Sequence, residues 1–400
     1  MTTLFIRPLD TQFHRDGRPF DAGIESEARC IFPPYPRSLY GCLRAAIMSN
    51  HPSYSWGAPP NDPSLNALRA VVGDPSGLGS LTLRGPCVAR SLPGTTDVAR
   101  LYQAPLDLVS VKHCRDTYRL VSPQEDQSPL RDRSDLKDGT LYPSRQNGNA
   151  TEVLESCEGD YLDDEFLRLY LTGNPPEKTW VQKAEHLHRV EPRIGLCRDA
   201  ERKTAKAGLL YAARHVRMED EGCWGGGFVV EVEEDGGLLP ASGLLRLGGD
   251  SRPAEYREVP PQDWSQIKTA VQGLILQTGR FKMVLVTPAI FGTGWYPDFL
   301  NSSLTRILPG CTQPISLVGA CVGRALPIGG FDLVKGYPKP IQQAVPAGSV
   351  YFFKFEDWNS WNGGMKQQAI DKLLSHRFNR SLCRDPYDKE GFGVALIGGW

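Results

Sequence analysis

Five positions near the N-terminus could together hold an anion: Arg15 and Arg18 around Asp16-Gly17, then Arg37, Ser38 and Arg44. Glycine lets backbone N–H groups approach a ligand closely, and Arg15-Asp16-Gly17-Arg18 surrounds that glycine with two guanidinium groups. Phe32-Pro33-Pro34-Tyr35-Pro36-Arg37-Ser38 leads into the apolar spacing Leu39, Cys42, Leu43, Ala46 and Ile47, which predicts a helix over about 38–49. Its prolines predict an extended approach that stops at Ser38, read as the N-cap. Free N–H groups at a helix start beside Arg37 and Arg44 suit a phosphate. The plainer reading of the first turn is a surface turn in which Asp16 caps its own backbone.

Two further stretches carry the same chemistry. Gly329-Gly330-Phe331 through Lys335, Tyr337 and Lys339 interleaves rings with lysines, as a surface for single-stranded nucleic acid does. Its alternative is a solvated loop whose Phe331 and Tyr337 pack inward. Residues 186–217 form a candidate long hairpin with eight Lys/Arg against three Asp/Glu, a local charge of +5, including Arg193 and Arg198. Gly391-Phe392-Gly393 precedes a final apolar strand. It is not a dinucleotide fingerprint, because no helix follows it.

No catalytic constellation is visible. His186-x-His188 would share a strand face, but no Cys or carboxylate at ligand spacing completes a metal site, so no metal and no cofactor are expected. His14, His51, His113, His215 and His376 show no nucleophile–base pattern. Asp10 and Asp16 could act as acid or base, as could most of the 46 acidic residues. There is no Walker sequence.

The elements that must position these groups are legible as short apolar runs: Leu4–Arg7, Phe228–Val232 after Gly225-Gly226-Gly227, residues 283–286 and 350–353, and the terminal strand. Helical spacing appears at Leu65–Val72, at Leu162–Tyr170, from about Asp263 to Gly279, and through Ile370, Leu373, Leu374 and Phe378. Residues 121–150 are polar without period and read as a loop or insertion. Glycine and proline make up 73 of 400 residues, about 18% against a usual 12% or so, which implies many tight turns around real cores. The net charge of −1 attracts no polyanion globally, so any nucleic-acid surface must be local. Ten scattered cysteines without a Cys-x-x-Cys pair, no apolar leader and no run near 18 apolar residues read as a cytoplasmic protein with reduced thiols and no membrane association. Strand–helix–strand–strand–helix–strand in each half predicts an α+β chain of two ferredoxin-like (RRM-like) domains, 1–238 and 239–400.

Several separated blocks resemble one family, subunit three of the type III-B CRISPR effector (the Cmr complex) within the RAMP superfamily. They are Pro8-Leu9-Asp10 through Phe20, Phe32 through Arg44, Leu245-Arg246-Leu247-Gly248-Gly249, Thr287-Pro288-Ala289-Ile290-Phe291, Gly330 through Pro340, Ala344 through Tyr351, and Gly391-Phe392-Gly393. They fall in order along nearly the whole chain, and residues 50–160 match least. The resemblance implies a non-catalytic RNA-binding subunit of an antiviral ribonucleoprotein. Such subunits hold the repeat-derived 5′ tag of the CRISPR RNA (crRNA). They join the large palm-domain polymerase-like subunit to the first backbone-forming RAMP subunit, and meet target RNA only indirectly. It also implies a glycine-rich loop near the RNA, here 391–393, and a thumb hairpin, here 186–217. One wall of the site would be Arg15, Arg18, Arg37, Ser38 and Arg44, facing Lys335, Lys339, Gly391, Phe392 and Gly393, with Arg193 and Arg198 on the thumb. The rival reading is a metal-independent RAMP endoribonuclease using His14 or Asp16. A third is an adaptor that contacts protein alone.

Overall fold

The computed structural model describes residues 1–17, 27–51, 63–74, 77–112, 114, 117–123, 144–146, 153–174, 181–308, 314–332 and 336–400. Arg18 and Lys335 lie outside them, as do 124–143 and 147–150 of the expected insertion. Tyr118–Pro123 and Ser144–Gln146, at the two ends of that insertion, are strands of a small four-stranded sheet.

The chain opens with β1 (Thr2–Pro8) and α1 (Pro36–Asn50), followed by α2 (Asn66–Val72), β2 (Thr82–Ser91), β3 (Val98–Gln103), β4 (Tyr161–Asp163) and α3 (Asp164–Leu171). A long hairpin, β5 (His188–Arg198) and β6 (Ala205–Met218), precedes β7 (Gly225–Glu233), β8 (Ser242–Arg246) and β9 (Pro253–Val259). Then come α4 (Ser265–Thr278), β10 (Arg280–Leu285), β11 (Pro314–Cys321), β12 (Val350–Phe355), α5 (Gly363–Arg377) and β13 (Val394–Gly398). The chain is thus mixed α+β and strand-rich. No described helix is long and apolar enough to cross a membrane.

The first sheet runs β8-β9-β1-β7-β2-β3-β4, with neighbours antiparallel. Alternation along β1 sends Leu4 and Ile6 to the core beneath α1, whose Leu39, Leu43 and Ile47 are buried there at helical spacing. Phe5 points to the other face, beside Ala89, Val229 and Val259. The three glycines expected ahead of β7 lie inside it. A Cβ on Gly227 would stand 2.7 Å from Cζ of Phe5, so glycine is what lets that ring lie flat on the strand. The boundary expected at 238/239 would cut this sheet, because β8 and β9 belong to it. β9 is the antiparallel neighbour that β1 needs on its second side, and the backbone pairing overrides the break implied by Gly236-Gly237.

The second sheet runs Thr305–Ile307, β11, β12, β10, β13, Arg380–Ser381, again antiparallel throughout. The expected alternation of strands and helices holds only in part. The first half has a helix, α1, between β1 and β2 but joins β7 to β9 through the β8 strand. The second has α5 between β12 and β13, while no described helix links β10 to β11. The second core is instead covered by α4, which precedes β10, and by α3 from the first half: Leu167, Tyr170, Leu171, Ile267, Val271 and Ile275 share it with β10 and β12. Leu162, read as helical, sits in β4, and Asp163 caps α3 by accepting from Phe166 N–H at 3.0 Å.

One buried polar cluster ties the halves together. Lys282 Nζ lies 3.0 Å from Asp107 Oδ2, Tyr170 Oη donates to Asp107 Oδ1 at 2.6 Å, and Nζ stands 3.5 Å from the centre of the Tyr170 ring. All three residues are almost completely enclosed. Burial pushes the Lys282 pKa down, and the Asp107 carboxylate opposes that shift.

Candidate RNA interface

The structure brings the two expected walls together and then closes much of the space between them. α1 starts at Pro36, one of the few positions where proline fits a helix. Its N-cap is Tyr35, with no side-chain cap. Ser38 is therefore inside the first turn, donating its N–H to Tyr35 O at 2.9 Å, and the expected N-cap role is corrected. Arg37 follows the proline and turns toward the C-terminal loop. Its Nε donates to both Glu390 oxygens at 3.1 and 3.0 Å, Nη2 lies 3.0 Å from the same carboxylate, and Nη1 donates to Gly329 O at 3.2 Å. Its guanidinium is 5.7 Å from the centre of the Phe392 ring. Arg44 lies over the Tyr40 ring at 5.8 Å, and its Nε is buried without a partner.

The facing loops are equally committed. Phe392 is fully buried with Ile290, Ile328 and Ala344, so its ring fills a core and offers no face to a base. Gly391 and Gly393 adopt φ of 96° and 71°. A Cβ on Gly391 would meet Gly85 O at 2.8 Å. Gly391 thus serves a close approach between the two halves, and Gly393 one to Cys383 within the second. Gly17 and Gly329 touch in the same way: a Cβ on Gly17 would stand 3.0 Å from Gly329 N. Arg15 is exposed beside this contact, and Lys339 is half-buried, its N–H donating to Gly330 O at 2.9 Å. Phe331 and Tyr337 lie on the two strands of a short turn, Phe331 opposite Pro338 and Tyr337 opposite Asp332, and are 55% and 50% exposed, so the inward-packing alternative for these rings does not hold.

The hairpin expected over 186–217 is β5 and β6, paired from His188↔Met218 to Arg198↔Ala205. Its arginines divide by position. At the base, Arg193 Nη2 donates to Thr11 Oγ1 at 2.9 Å and lies near Asp10 and Glu191 at 4.0 and 3.9 Å. Arg217 pairs with Glu191 and, at 3.4 Å, with Asp10; Arg252 reaches Asp10 at 2.6 Å; Arg214 pairs with Glu27, and Arg189 with Glu219 at 2.8 Å. The Thr11 backbone N–H and then Arg252 hold the Asp10 carboxyl below its usual range. At the tip, Asp199 accepts from the N–H groups of Glu201 and Arg202 at 3.0 and 2.8 Å, which shapes the turn. Arg198, Arg202, Lys203 and Lys206 are exposed there and make no ion pair among the described residues. Ile194, Leu196 and Leu210 are exposed on the same hairpin. Arg202, Lys203 and Lys206 were visible as charge but not singled out, because pairing at the base cannot be read from composition.

His14, the rival catalytic candidate, is buried. Neither ring nitrogen has a hydrogen-bond partner, and burial pushes its pKa down to about 4, so the ring is neutral and out of solvent contact. Asp16 is half-buried near Tyr35, whose hydroxyl is pushed up to about 12, first by burial and then by that carboxylate. His186 and His188 do not share a strand face: His186 is in the turn before β5, and His188 stacks on Phe32 at 4.0 Å. Among the described residues no cluster of three His, Cys, Asp or Glu could hold a metal ion.

No curated protein sequence matches the chain. It is similar to a chain in the cryo-EM structure of the type III-B Cmr-beta bound to cognate target RNA and AMPPnP, state 1, at 15% identity, TM-score 0.45, covering 98% of this chain and 95% of that one. It is also similar to a chain in the cryo-EM structure of Cmr-beta bound to cognate target RNA alone, at the same identity and TM-score, with 98% and 96% covered. The model of the CRISPR-associated protein family Cas_Cmr3 matches residues 4–400. The chain belongs to the Cas_Cmr3 family, subunit three of the type III-B CRISPR effector.

Proposed function

We propose that this chain holds the repeat-derived 5′ tag of crRNA without cutting it, and joins the large palm-domain subunit to the backbone filament. The observation that carries the reading is the hairpin tip: four exposed cations without carboxylate partners, on an arm that also exposes Ile194, Leu196 and Leu210. Unpaired cations on an extended arm track a phosphate backbone, and apolar side chains beside them accept unstacked bases. Phe331 and Tyr337, exposed on the turn that holds Lys339, supply two further rings. Arg37, Phe392 and the terminal glycines act behind this surface, holding the loops that present it.

Two ferredoxin-like units are the architecture we favour, divided after Val259. In each, the strand order fourth-first-third-second supports this reading: β9-β1-β7-β2 and β13-β10-β12-β11. Among the described residues each unit has one of the two usual crossover helices.

The test is a titration of the purified chain with tag RNA and a scrambled RNA, resolved in parallel on denaturing gels. The expected result is tighter binding of the tag with intact RNA on the gel. Cleavage of the RNA that disappears in His14→Ala would replace this reading with the endoribonuclease one.

A further inference from the structure

β8 ends the first sheet, and among the described residues no strand lies beyond it. Ala241 O accepts from Glu258 N–H at 2.7 Å, and Leu247 N–H donates to Arg252 O at 2.8 Å. By the two-residue alternation of an antiparallel ladder, residues 241, 243, 245 and 247 bond inward to β9, while Ser242 and Leu244 direct their N–H and C=O groups outward and the Arg246 N–H meets the Cys42 thiol of α1. No proline, lysine or bulge interrupts the edge at Ser242 and Leu244; its only charge, Arg246, lies at the end that α1 covers. Leu244 is 72% exposed on it.

Beside the edge runs a groove of about 480 Å³, lined by Phe5, Arg7, Ser91, Leu244, Glu255 and Arg257. The Phe5 ring packs against Gly227, Arg257 sits 5.5 Å from the centre of that ring, and Arg257 donates to Ser91 Oγ. Arg257 and Arg246 make no ion pair among the described residues. Arg7 has Asp220 and Glu255 only at 3.8 and 3.9 Å, beyond hydrogen-bond reach. The groove therefore presents guanidinium donors in excess of carboxylates, next to a row of open backbone groups and an exposed leucine.

We propose that the outer edge of β8 pairs with an extended strand of a protein partner, carrying a carboxylate opposite Arg257 and an apolar side chain against Leu244. The open N–H and C=O row matches a peptide backbone and has no counterpart in RNA. A planar guanidinium already oriented on Phe5 suits a carboxylate fork. Two copies of this chain joined antiparallel about Leu244 would set Arg246 of each opposite Ser242 of the other, beside its Arg257. The inference goes beyond tag anchoring and uses none of the residues assigned to RNA.

Amide hydrogen exchange on the free chain and on the effector purified through it tests the pairing. The expected result is at least tenfold slower exchange at Ser242 and Leu244 in the effector, with the protection at Ser242 lost in Leu244→Pro and the protection at both reduced in Arg257→Glu. Leu244→Pro deletes an outward N–H and spares the bonds to β9, so it should unfold at the same urea concentration as the parent chain, and Arg257→Glu, which also loses the Ser91 bond, is compared where urea curves show it folded. With p-benzoylphenylalanine in place of Leu244, irradiation of the effector should give an adduct to a peptide of another subunit with an Asp or Glu within two residues. Equal exchange in both states, protection unaffected by Arg257→Glu, an adduct to RNA, or an adduct between copies of this chain would each overturn the proposal.

Discussion

The start of α1 and the tip of the β5–β6 hairpin contain the same kinds of residue, and the fold puts them in opposite states. At α1, Arg37 is neutralised by Glu390, the neighbouring glycines touch other backbone, and Phe392 is enclosed. At the tip, Arg198, Arg202, Lys203 and Lys206 stand in solvent around a turn set by Asp199. A cation is available to a ligand only if the fold leaves it unpaired, and residue type does not say whether it will. The first region holds the molecule together, and the second is free to hold something else.

The comparison can be broken most strongly at Arg37. Arg37→Ala leaves Glu390 buried without its partner, and loss of one member of a buried pair costs about 3 kcal/mol or more. Urea denaturation should show that drop. Tag affinity measured on the folded fraction should change less than in the tip variants.

His14 gives the next effect. Its folded pKa of about 4 lies below the ordinary value of 6.5. The neutral ring's full contribution is present above about pH 6.5. It falls away as pH drops toward 4, by up to about 1.4 kcal/mol per pH unit in that window. Urea midpoints between pH 7 and 4 should decline less steeply in His14→Leu than in the parent chain. A parallel decline in both would show that His14 is not the titrating group.

Gly329→Val sharpens the contrast more gently. The added side chain would enter the Gly17 contact, where a Cβ on Gly329 already stands 2.9 Å from Gly17 Cα, at about 1–3 kcal/mol. The smallest stability change belongs to Arg198→Gln with Arg202→Gln, expected within about 0.5 kcal/mol of the parent. Its effect should appear in RNA affinity instead.

How much of this was legible follows the range of the interactions. The hairpin, α1 and the buried strands were readable because their periods are local, and the exposed cations of the tip were readable as charge. Arg37 with Glu390 was not: the partners are 353 residues apart, and nothing near Arg37 points to a carboxylate beyond Phe331 and Pro340. The roles of Gly227 under Phe5 and of Gly391 against Gly85 depend on strands meeting in space, so those glycines looked like turns or ligand loops. β8 and β9 fell on the wrong side of the expected boundary because sheet membership is set by pairing with β1, which local spacing does not report.

The most direct test is the affinity of folded chain for tag RNA across a salt series, for the parent and for a variant with Gln at 198, 202, 203 and 206. The account predicts tag-selective binding by the parent. In the variant it predicts lower affinity and a shallower dependence of log K on log salt, by about 0.7 for each phosphate contact removed. Identical affinity and slope in the two proteins would contradict it.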